Sequence, residues 1–509
     1  MTTDEAKAIP EAALRALVRG PWRSVPLRHQ LATVAWLADL PAPRACVWSD
    51  IGTGKSAAAL YAHLWWGFRR LLIVCPNSVR ESWLTEIQTH TNRLPIVLTG
   101  PMLVRKNLLQ GAEDGIFIVN WEGLKLLFAA RHDRKYDTAD PAALAAAVAE
   151  VRVDALVLDE SHCLGSPTTH QSRIAAELAR QADKVLLLTG TPFTADEREL
   201  WHQLWCMDPA WAGRAVGRSP GSFCGRWMEG DPASMIWNRK IKRSIAARWR
   251  VREDRRIPLM AALAERTIRY DREECCDLPG RTYTTRHCDL TAEQVEAIDA
   301  VVAGEDWLAP DGKTVGKRVM AAGDKLSQIA GGVLLDKKSG AKRFLPNPKL
   351  DLLAEVLAGL GRRKTVVYHA YVEEGRAIED RLRSLGVGHA SLRGEVPEAA
   401  RVAGLAAYRG DPACRVLVAH PRSGGVGLNL QGAADAMVFY SCGGLGAAGR
   451  DQAEGRIWRQ GQTRPCLFVD LVARGSMDQD RLRRLGDRRA TVAAVLEYLA
   501  SRKPLSSKE

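Results

Sequence analysis

Two arginines near the carboxyl end of the chain, Arg456 and Arg459, are spaced to act on a single anion. They stand three residues apart, and on a helix this spacing puts both guanidinium groups on one face. Guanidinium groups bind phosphate oxygens through paired hydrogen bonds. Gln452 precedes the pair and Gln462 follows it. We therefore predict a helical segment whose Gln452, Arg456 and Arg459 take part in the chemistry of a phosphate bound elsewhere in the molecule.

The glycine-rich segment Ser49–Ser56 could supply that phosphate site. It follows the apolar run Ala45–Trp48 and precedes the helix-forming run Ala57–Leu64. A strand, a glycine loop and a helix form the context of a P-loop, where backbone N–H groups approach phosphate oxygens. Lys55 is expected to reach the β- and γ-phosphates, and the Ser56 hydroxyl to ligate Mg²⁺. The predicted nucleotide-binding residues are Asp50, Ile51, Gly52, Thr53, Gly54, Lys55 and Ser56. A glycine-rich turn that binds nothing is the alternative, because the first position is Ser where the general pattern has Gly.

An acidic pair, Asp159 and Glu160, follows a second apolar run. Val153–Leu158 is typical of a buried parallel strand, and ligands of open α/β sheets collect at the carboxyl ends of such strands. We predict that Asp159 holds Mg²⁺ through water and that Glu160 polarises the attacking water as a general base. The alternative is an acidic turn between a strand and a helix.

The order of these segments and several others resembles the motif set of the Snf2 group of superfamily 2 helicase-like ATPases, in a compact bacterial or phage form. The resemblance covers nearly the whole chain. The matching segments are Leu27–Gln30, Ser49–Ser56, Ile73–Val79, Asp159–His162, Leu188–Pro192, Thr365–Ala370, Ser423–Leu430 and Gln452–Gln462. The resemblance implies that ATP and Mg²⁺ bind one lobe, that arginines come from a second lobe as the cleft closes, and that the protein tracks along double-stranded DNA.

The same resemblance implies further residue roles. Arg28 and Gln30 are expected at the adenine, and Gly427 at the nucleotide. His162, Thr189 and Gly190 are expected to couple the motifs. The implied DNA contacts are Asn77, Ser78, Thr191, Arg393, Ser423 and Asn429. For these polar residues, ordinary loop and cap chemistry is an equal alternative.

Composition sets broad limits on the kind of protein. The chain has 509 residues and a net charge of +13. Residues 212–256 contain 12 Lys/Arg against 4 Asp/Glu, which favours sequence-independent contact with a phosphate backbone, with a solvated basic face as the alternative. Tryptophans in this segment are interpreted as packing residues. No apolar run is long enough to cross a bilayer, so we expect no membrane association and a cytoplasmic location, in a bacterial cell or a phage-infected host.

Short β-rich runs alternate with helices in two regions of the chain. This alternation predicts an α/β fold with two RecA-like lobes, each a doubly wound parallel sheet, and helical insertions between them. We predict lobe 1 over residues 1–200, basic helical insertions and linker without such strands over 201–345, lobe 2 over 346–475, and a C-terminal helix and tail over 476–509. The protein is expected to be a monomer, with a protein partner as a possible determinant of its pathway.

One segment departs from the Snf2 pattern. Ser441–Gly449 is glycine-rich where the family carries an acidic residue and a Trp-Asn-Pro turn, and this puts in doubt how DNA contact couples to the arginines. The sequence leaves two other functions open. One is a helicase that separates strands of DNA or RNA, and the other is a nucleotide-gated DNA-binding or partner-docking module with weak turnover.

Overall fold

The computed structural model forms two compact units. It describes residues 1–67, 69–128, 141–192, 197–230, 235–238, 243–246, 249–275, 277–304, 316–335, 342–420, 429–441, 447–483 and 485. Among these, the first unit takes in residues of 1–235 and 246–275, and the second takes in residues of 236–245 and 276–491. In the described part of the chain, no helix is both long and apolar enough to cross a membrane.

Helices and strands alternate through the first unit, as the spacing of apolar runs predicts. The elements up to residue 275 are α1 Thr3–Ala8, α2 Glu11–Leu17, α3 Arg28–Asp39, β1 Arg44–Val47, α4 Lys55–Trp66, β2 Arg70–Cys75, α5 Arg80–His90, β3 Pro95–Val97, α6 Met102–Gln110, β4 Gly115–Asn120, α7 Trp121–Leu127, α8 Pro141–Ala149, β5 Ala155–Asp159, α9 His170–Gln181, β6 Lys184–Leu188, α10 Glu199–Met207, α11 Pro209–Ala215, α12 Pro220–Trp227, β7 Met228–Gly230, β8 Met235–Asn238, β9 Arg243–Ala246, β10 Trp249–Val251, α13 Glu253–Ala264, β11 Thr267–Ile268 and α14 Arg272–Cys275.

The second unit repeats the alternation. Its later elements are β12 Arg281–Cys288, α15 Ala292–Gly304, α16 Gly316–Ala330, β13 Val333–Leu335, β14 Lys342–Phe344, α17 Pro348–Gly359, β15 Thr365–Tyr368, α18 Val372–Ser384, β16 Gly388–Leu392, α19 Glu398–Gly410, β17 Cys414–Ala419, β18 Ala436–Phe439, α20 Ala447–Glu454 and β19 Cys466–Ala473. Residues 477–483, within the predicted C-terminal helix, are also helical.

The sheet of the first unit is parallel throughout, in the order β11-β1-β6-β5-β2-β4-β3. Alternate side chains of β2 enter different apolar clusters: Leu72 and Val74 lie in one, and Leu71 and Ile73 in the other. Because both faces are covered, the strands are apolar along their whole length. The predicted doubly wound lobe is confirmed.

The second unit has a parallel sheet in the order β12-β19-β18-β15-β17-β16. Val366 and Val367 of β15 likewise enter clusters on opposite faces. The second predicted lobe is therefore also confirmed, and the fold is α/β with two such lobes.

The prediction that residues 201–345 add only helices and linker is wrong, because strands β7 to β14 lie in this range. Two of them join the large parallel sheets. Strand β11 extends the first sheet beside β1, and β12 extends the second sheet beside β19 over eight residue pairs. Each of these strands lies at a sheet edge and pairs with one other strand. Neither therefore needs the continuous apolar sequence by which inner strands are identified. The first lobe also extends past its predicted end at residue 200, because Leu200 and Leu204 of α10 lie in the same apolar cluster as the sheet of the first unit.

Candidate functional site

The glycine loop between β1 and α4 has the geometry of a phosphate-binding loop. Gly52 and Gly54 have φ of 87° and 78°, in the left-handed region that only glycine enters without strain. Gly54 caps the 12-residue helix α4, which begins at Lys55. The free N–H groups and the positive end of the helix dipole therefore lie at the loop, as anion binding requires. Ser56 lies in the first turn of α4.

Lys55 is folded back onto its own loop. Its Nζ donates to the carbonyl of Ser49 at 2.7 Å and to that of Asp50 at 2.9 Å. Burial lowers the pKa of Lys55, and this is opposed by the carboxylates of Glu160 and Asp159 and then of Asp50. The charges of the acidic pair thus stabilise the charged form of the Lys55 ammonium group.

A segment after β11 fixes the start of the loop, and sequence reasoning missed it. Arg269 Nη2 lies 3.3 Å from Asp50 Oδ1. The Arg272 N–H donates to Asp50 Oδ2 at 3.2 Å, and the Tyr270 N–H donates to Ser49 Oγ at 3.1 Å. These contacts span more than 200 residues of sequence, so no local spacing could have indicated them. Asp50 therefore holds the start of the loop through its contacts with Arg269 and Arg272.

The acidic pair lies at the carboxyl edge of the same sheet. Across the sheet, Leu188 of β6 is paired with Val47 of β1 on one side and with Asp159 of β5 on the other. The Trp83 indole donates to Asp159 Oδ2 at 2.8 Å, and the Glu160 N–H donates to Oδ1 at 2.9 Å. Burial, with the neighbouring charge of Glu160, raises the pKa of Asp159 to about 6. Trp83 is a second residue that the sequence analysis missed.

Glu160 joins the predicted coupling residues in one cluster. Its backbone has φ of 50°, a strained left-handed conformation for this residue type. His162 Nδ1 lies 3.2 Å from Glu160 Oε2, and the Thr189 hydroxyl lies 3.5 Å from the same oxygen. Burial lowers the pKa of His162, but Glu160 more than offsets this, so that the pKa is raised. The Thr191 N–H donates to Thr189 Oγ1 at 3.0 Å.

Gly190 lies against the glycine loop. A Cβ atom added there would stand 2.9 Å from Ile51 Cγ1 and 3.4 Å from the Ile51 nitrogen. The absence of a side chain at Gly190 therefore allows the segment after β6 to approach the loop. Ile51 is the loop residue that Gly190 approaches. Thr53 is held by its own hydroxyl, which donates to the Asp50 carbonyl at 2.8 Å.

Arg28, one of the two predicted adenine residues, lines a cavity of about 600 Å³ in the first unit, and Gln30 is not among the residues that line it. Gln30 Oε1 accepts the Leu27 N–H at 2.8 Å, and Gln30 Nε2 donates to the Gly54 carbonyl at 3.4 Å. Arg28 donates to backbone carbonyls of Lys7 and Ile9. The lining residues are Lys7, Glu11, Arg15, Val25, Pro26, Leu27, Arg28, His29, Tyr270, Glu274 and Cys275. Arg28 thus lines the cavity, and Gln30 connects its rim to the glycine loop.

The predicted helical face for Arg456 and Arg459 is wrong. Helix α20 ends at Glu454, so only Gln452 is helical, and residues 455–461 form turns. Gly455 follows the helix, and Gly461 has φ of 91°. Glycine is a weak helix former, which agrees with the end of the helix there, and beyond it the Trp458 N–H still donates to the Glu454 carbonyl at 2.9 Å. We call residues 454–459 the finger segment.

Hydrogen bonds hold the finger segment to the chain near Asn429. Arg459 donates to Asn429 Oδ1, and the Leu430 N–H donates to the Arg456 carbonyl at 2.9 Å. The predicted DNA contact Asn429 is therefore a partner of Arg459 in this structure. Gln462 is buried, and its Nε2 donates to the carbonyls of Ala434 and Ile457 at 2.9 and 3.0 Å. Gln462 thus stabilises the turn.

The other predicted DNA contacts differ in accessibility. Asn77 is exposed in a short 3₁₀ helix, Asn77–Val79, at the end of β2. Thr191 is buried. Arg393 is engaged by Glu379, with Nε–Oε1 at 2.8 Å and Nη2–Oε2 at 2.9 Å, so a phosphate would have to replace this ion pair. The side chain of Ser78, the whole of Ser423 and Gly427, and residues 442–446 lie outside the described residues.

The basic segment 212–256 is described only in part. Within that part, Arg250 pairs with Glu229 at 2.7 Å. Trp227 is buried and donates to the Val216 carbonyl at 2.7 Å. Trp227 is thus a packing residue, as predicted. The basic residues Arg239, Lys240, Lys242 and Arg248 lie outside the described residues.

Comparisons with known proteins agree with the motif order. The model of the SNF2-related domain matches residues 29–216. A DNA repair and recombination protein, RDH54 of Saccharomyces cerevisiae, is 24% identical over 447 residues, which are 82% of this chain and 45% of the yeast protein. This chain thus spans less than half of that relative. A putative protein p41 of Acyrthosiphon pisum secondary endosymbiont phage 1 is 24% identical over 93% of this chain and 98% of its own. A Sulfolobus solfataricus SWI2/SNF2 ATPase core in complex with dsDNA has 19% identity and a TM-score of 0.41, covering 96% of this chain and 97% of its own.

Proposed function

We propose that this chain, which belongs to the Snf2 family of helicase-like ATPases, is a DNA-dependent ATPase that moves along double-stranded DNA. The observation that carries the proposal is that the glycine loop after β1 and the acidic pair at the end of β5 lie at the carboxyl edge of one sheet. A lysine on a glycine loop and an adjacent acidic pair are the parts that phosphoryl transfer requires.

The residues of the first unit would bind and orient ATP. The Lys55 ammonium would exchange the carbonyls of Ser49 and Asp50 for the β- and γ-phosphate oxygens. The N–H groups at the start of α4 would surround the phosphates. The cavity beside Arg28 is large enough for a purine base, since ligand cavities are commonly about 300–1,000 Å³ and this one is about 600 Å³.

Mg²⁺ is the metal that the family implies, and the donors fit it. Ser56 offers a hydroxyl and Asp159 a carboxylate, which are oxygen ligands of the kind that Mg²⁺ prefers. Each oxygen of Asp159 accepts one N–H and keeps a further lone pair. When bound, Mg²⁺ would neutralise charge on the phosphates. Glu160, oriented by His162 and Thr189, would take the proton of the attacking water.

Arg456 and Arg459 of the second unit would complete the site when the cleft between the lobes closes. Arginines supplied in this way stabilise the charge of the transferring phosphoryl group. The hydrogen bond between Arg459 and Asn429 supports coupling to DNA, because Asn429 is also a predicted DNA contact. DNA bound at Asn429 would compete for its side chain and so release Arg459.

Strand displacement assays test the proposed movement. We expect the protein with ATP to displace a third strand from a triplex and to leave a forked duplex paired, because tracking along duplex DNA does not require strand separation. Lys55→Ala is the control and should do neither. Fork unwinding would instead favour the strand-separating helicase, and DNA binding without hydrolysis would favour the nucleotide-gated binding module.

The setting follows from the same proposal. We propose a monomer in the cytoplasm of a bacterial cell or a phage-infected host, and the phage source of the similar protein p41 supports the phage-infected host. A protein partner would select the pathway. Because the yeast relative is a DNA repair and recombination protein, DNA repair or recombination is the process to test first.

A further inference from the structure

One run of chain contacts the glycine loop in the first unit and, a few residues later, the finger segment in the second. We call residues 267–283 the connecting segment, of which Cys276 lies outside the described residues. Its first contacts, from Arg269, Tyr270 and Arg272 to the loop, are described above. Arg272 and Pro279 are seven positions apart, so the contacts in the two units are close in sequence.

The second set of contacts centres on Trp458. The Trp458 indole donates to the Pro279 carbonyl at 2.9 Å. The Arg281 guanidinium lies 4.1 Å from the centroid of the indole ring, within the range of a cation–π interaction. Trp458 is buried and lies between Arg456 and Arg459 in sequence. The connecting segment therefore holds the residue next to Arg459.

A third contact reaches the other end of the finger segment. The Tyr283 hydroxyl donates to Glu454 Oε2 at 2.7 Å. Glu454 is buried and accepts a second hydrogen bond from Arg450 Nε at 2.7 Å. The Tyr283 ring stacks on Phe468 of β19, with centroids 5.2 Å apart. Because β12 and β19 are paired over eight residues, Tyr283 presents its hydroxyl from a fixed sheet edge.

The finger segment lies beyond the end of α20, in turns. Within it, the N–H groups of Ile457 and Trp458 donate to the Glu454 carbonyl at 3.1 and 2.9 Å. The positions of Arg456 and Arg459 therefore depend on how Glu454 and Trp458 are held, as well as on the hydrogen bonds to Asn429 and Leu430. The connecting segment holds both Glu454 and Trp458.

We infer that Tyr283, Arg281 and Trp458 are positioning residues for the two arginines, and that the connecting segment sets both halves of the ATP site. This inference rests on the proposed function and deepens it. The connecting segment acts on the chemistry through the arginines, without contact with the nucleotide. Loosening its contacts with the finger segment should weaken binding of the transferring phosphoryl group and leave binding of the rest of the nucleotide unchanged.

The test compares Tyr283→Phe and Trp458→Phe with a matched control, Tyr371→Phe. Tyr283→Phe removes the hydrogen bond to Glu454, and Trp458→Phe removes the hydrogen bond to Pro279 together with the indole ring that Arg281 contacts. The control removes a tyrosine hydroxyl in the same unit that donates to Asp324 at 3.1 Å and accepts from Arg481 Nη1 at 3.0 Å. Four quantities are measured with duplex DNA present: affinity for ADP, affinity for ADP with aluminium fluoride as a mimic of the transferring phosphoryl group, kcat against KM, and the thermal unfolding midpoint.

We expect Tyr283→Phe to weaken binding of ADP with aluminium fluoride, and to lower kcat, by about fivefold, the effect of one lost hydrogen bond, and Trp458→Phe to do so by at least as much. Affinity for ADP alone and KM should match the wild type in both. The unfolding midpoints of Tyr283→Phe and Tyr371→Phe should fall by similar small amounts, because each loses hydrogen bonds. Tyr371→Phe should match the wild type in both affinities, in kcat and in KM. The inference is overturned if the Tyr283 and Trp458 variants behave like the control in affinity for the mimic and in kcat, or if they lose affinity for ADP and for the mimic equally. A wild-type protein that neither binds ADP nor hydrolyses ATP would overturn the proposed function itself.

Discussion

At the scale of single residues, Asp159 and Asp50 are each held by a side chain from a distant part of the chain, Trp83 and Arg269 respectively. Lys55, Asp159 and Glu160 could be predicted, because a glycine loop and an acidic pair at the ends of apolar runs are local patterns. Trp83 and Arg269 could not, although both touch the predicted site residues. Their contacts join positions far apart in the chain, and nothing in their own neighbourhoods distinguishes them from packing or surface residues.

The raised pKa of Asp159 predicts that Asp159→Asn stabilises the protein at neutral pH. The carboxyl group has a pKa of about 6 when folded and about 4 when unfolded. Native protein therefore binds the extra proton between these values, and stability falls as pH rises through this window, by up to about 3 kcal/mol. The amide removes this cost but can accept only one of the two N–H groups, a loss of about 1 kcal/mol.

We expect the thermal unfolding midpoint of Asp159→Asn to exceed that of the wild type by a few degrees at pH 7.5. The difference should vanish near pH 4. Asp114→Asn, which changes an exposed carboxylate, serves as the control and should follow the wild type at both pH values. A lower midpoint for Asp159→Asn at pH 7.5 would contradict the account of this charge.

At the scale of elements, buried strands were predictable and edge strands were not. The inner strands β2 and β5 are continuous apolar runs because both faces are covered. Strand β12 reads Arg-Thr-Tyr-Thr-Thr-Arg-His-Cys, since an edge strand with exposed residues needs no such run. The helix predicted through Arg456 and Arg459 failed because spacing alone ignores Gly455, where the helix has already ended.

The close approach of the segment after β6 to the glycine loop predicts a specific effect of Gly190→Ala. The new methyl group would press on Ile51 at 2.9 Å and displace the loop. We expect KM for ATP to rise about three- to tenfold, for a cost of about 1 kcal/mol. Gly225→Ala is the control, because no atom lies within 4 Å of the added Cβ and the site is helical. That variant should be slightly more stable and unchanged in KM; an unchanged KM in Gly190→Ala as well would refute the contact.

At the scale of the whole molecule, Lys55, Asp159 and Glu160 belong to the first unit, and Arg456 and Arg459 belong to the second. The two sheets were predicted from the alternation of strands and helices. The extension of the first unit beyond residue 200 was not predicted, because helices α10–α14 carry no motif. Their packing assigns them to the first unit. We therefore expect that mutation can separate the binding of ATP from its turnover.

Arg459→Ala should separate them. The first unit holds every predicted ground-state contact with ATP that the structure describes, so affinity for ATP should change less than about twofold. Turnover should fall about 10³-fold or more, as expected for a finger arginine. Binding of a fluorescent ATP analogue and phosphate release measure the two effects. Arg383→Ala, at an exposed arginine, should alter neither. Equal losses of affinity and turnover in Arg459→Ala would show that this arginine binds ATP in the ground state.

The most direct test of the central claim is phosphate release from ATP by the intact protein, with and without duplex DNA. We predict that duplex DNA increases the rate at least tenfold, which corresponds to a lowering of the activation free energy by about 1.4 kcal/mol. Lys55→Ala should abolish release under both conditions. Release that is unaffected by duplex DNA, or that persists in Lys55→Ala, would contradict the claim that this chain is a DNA-dependent ATPase acting through the glycine loop.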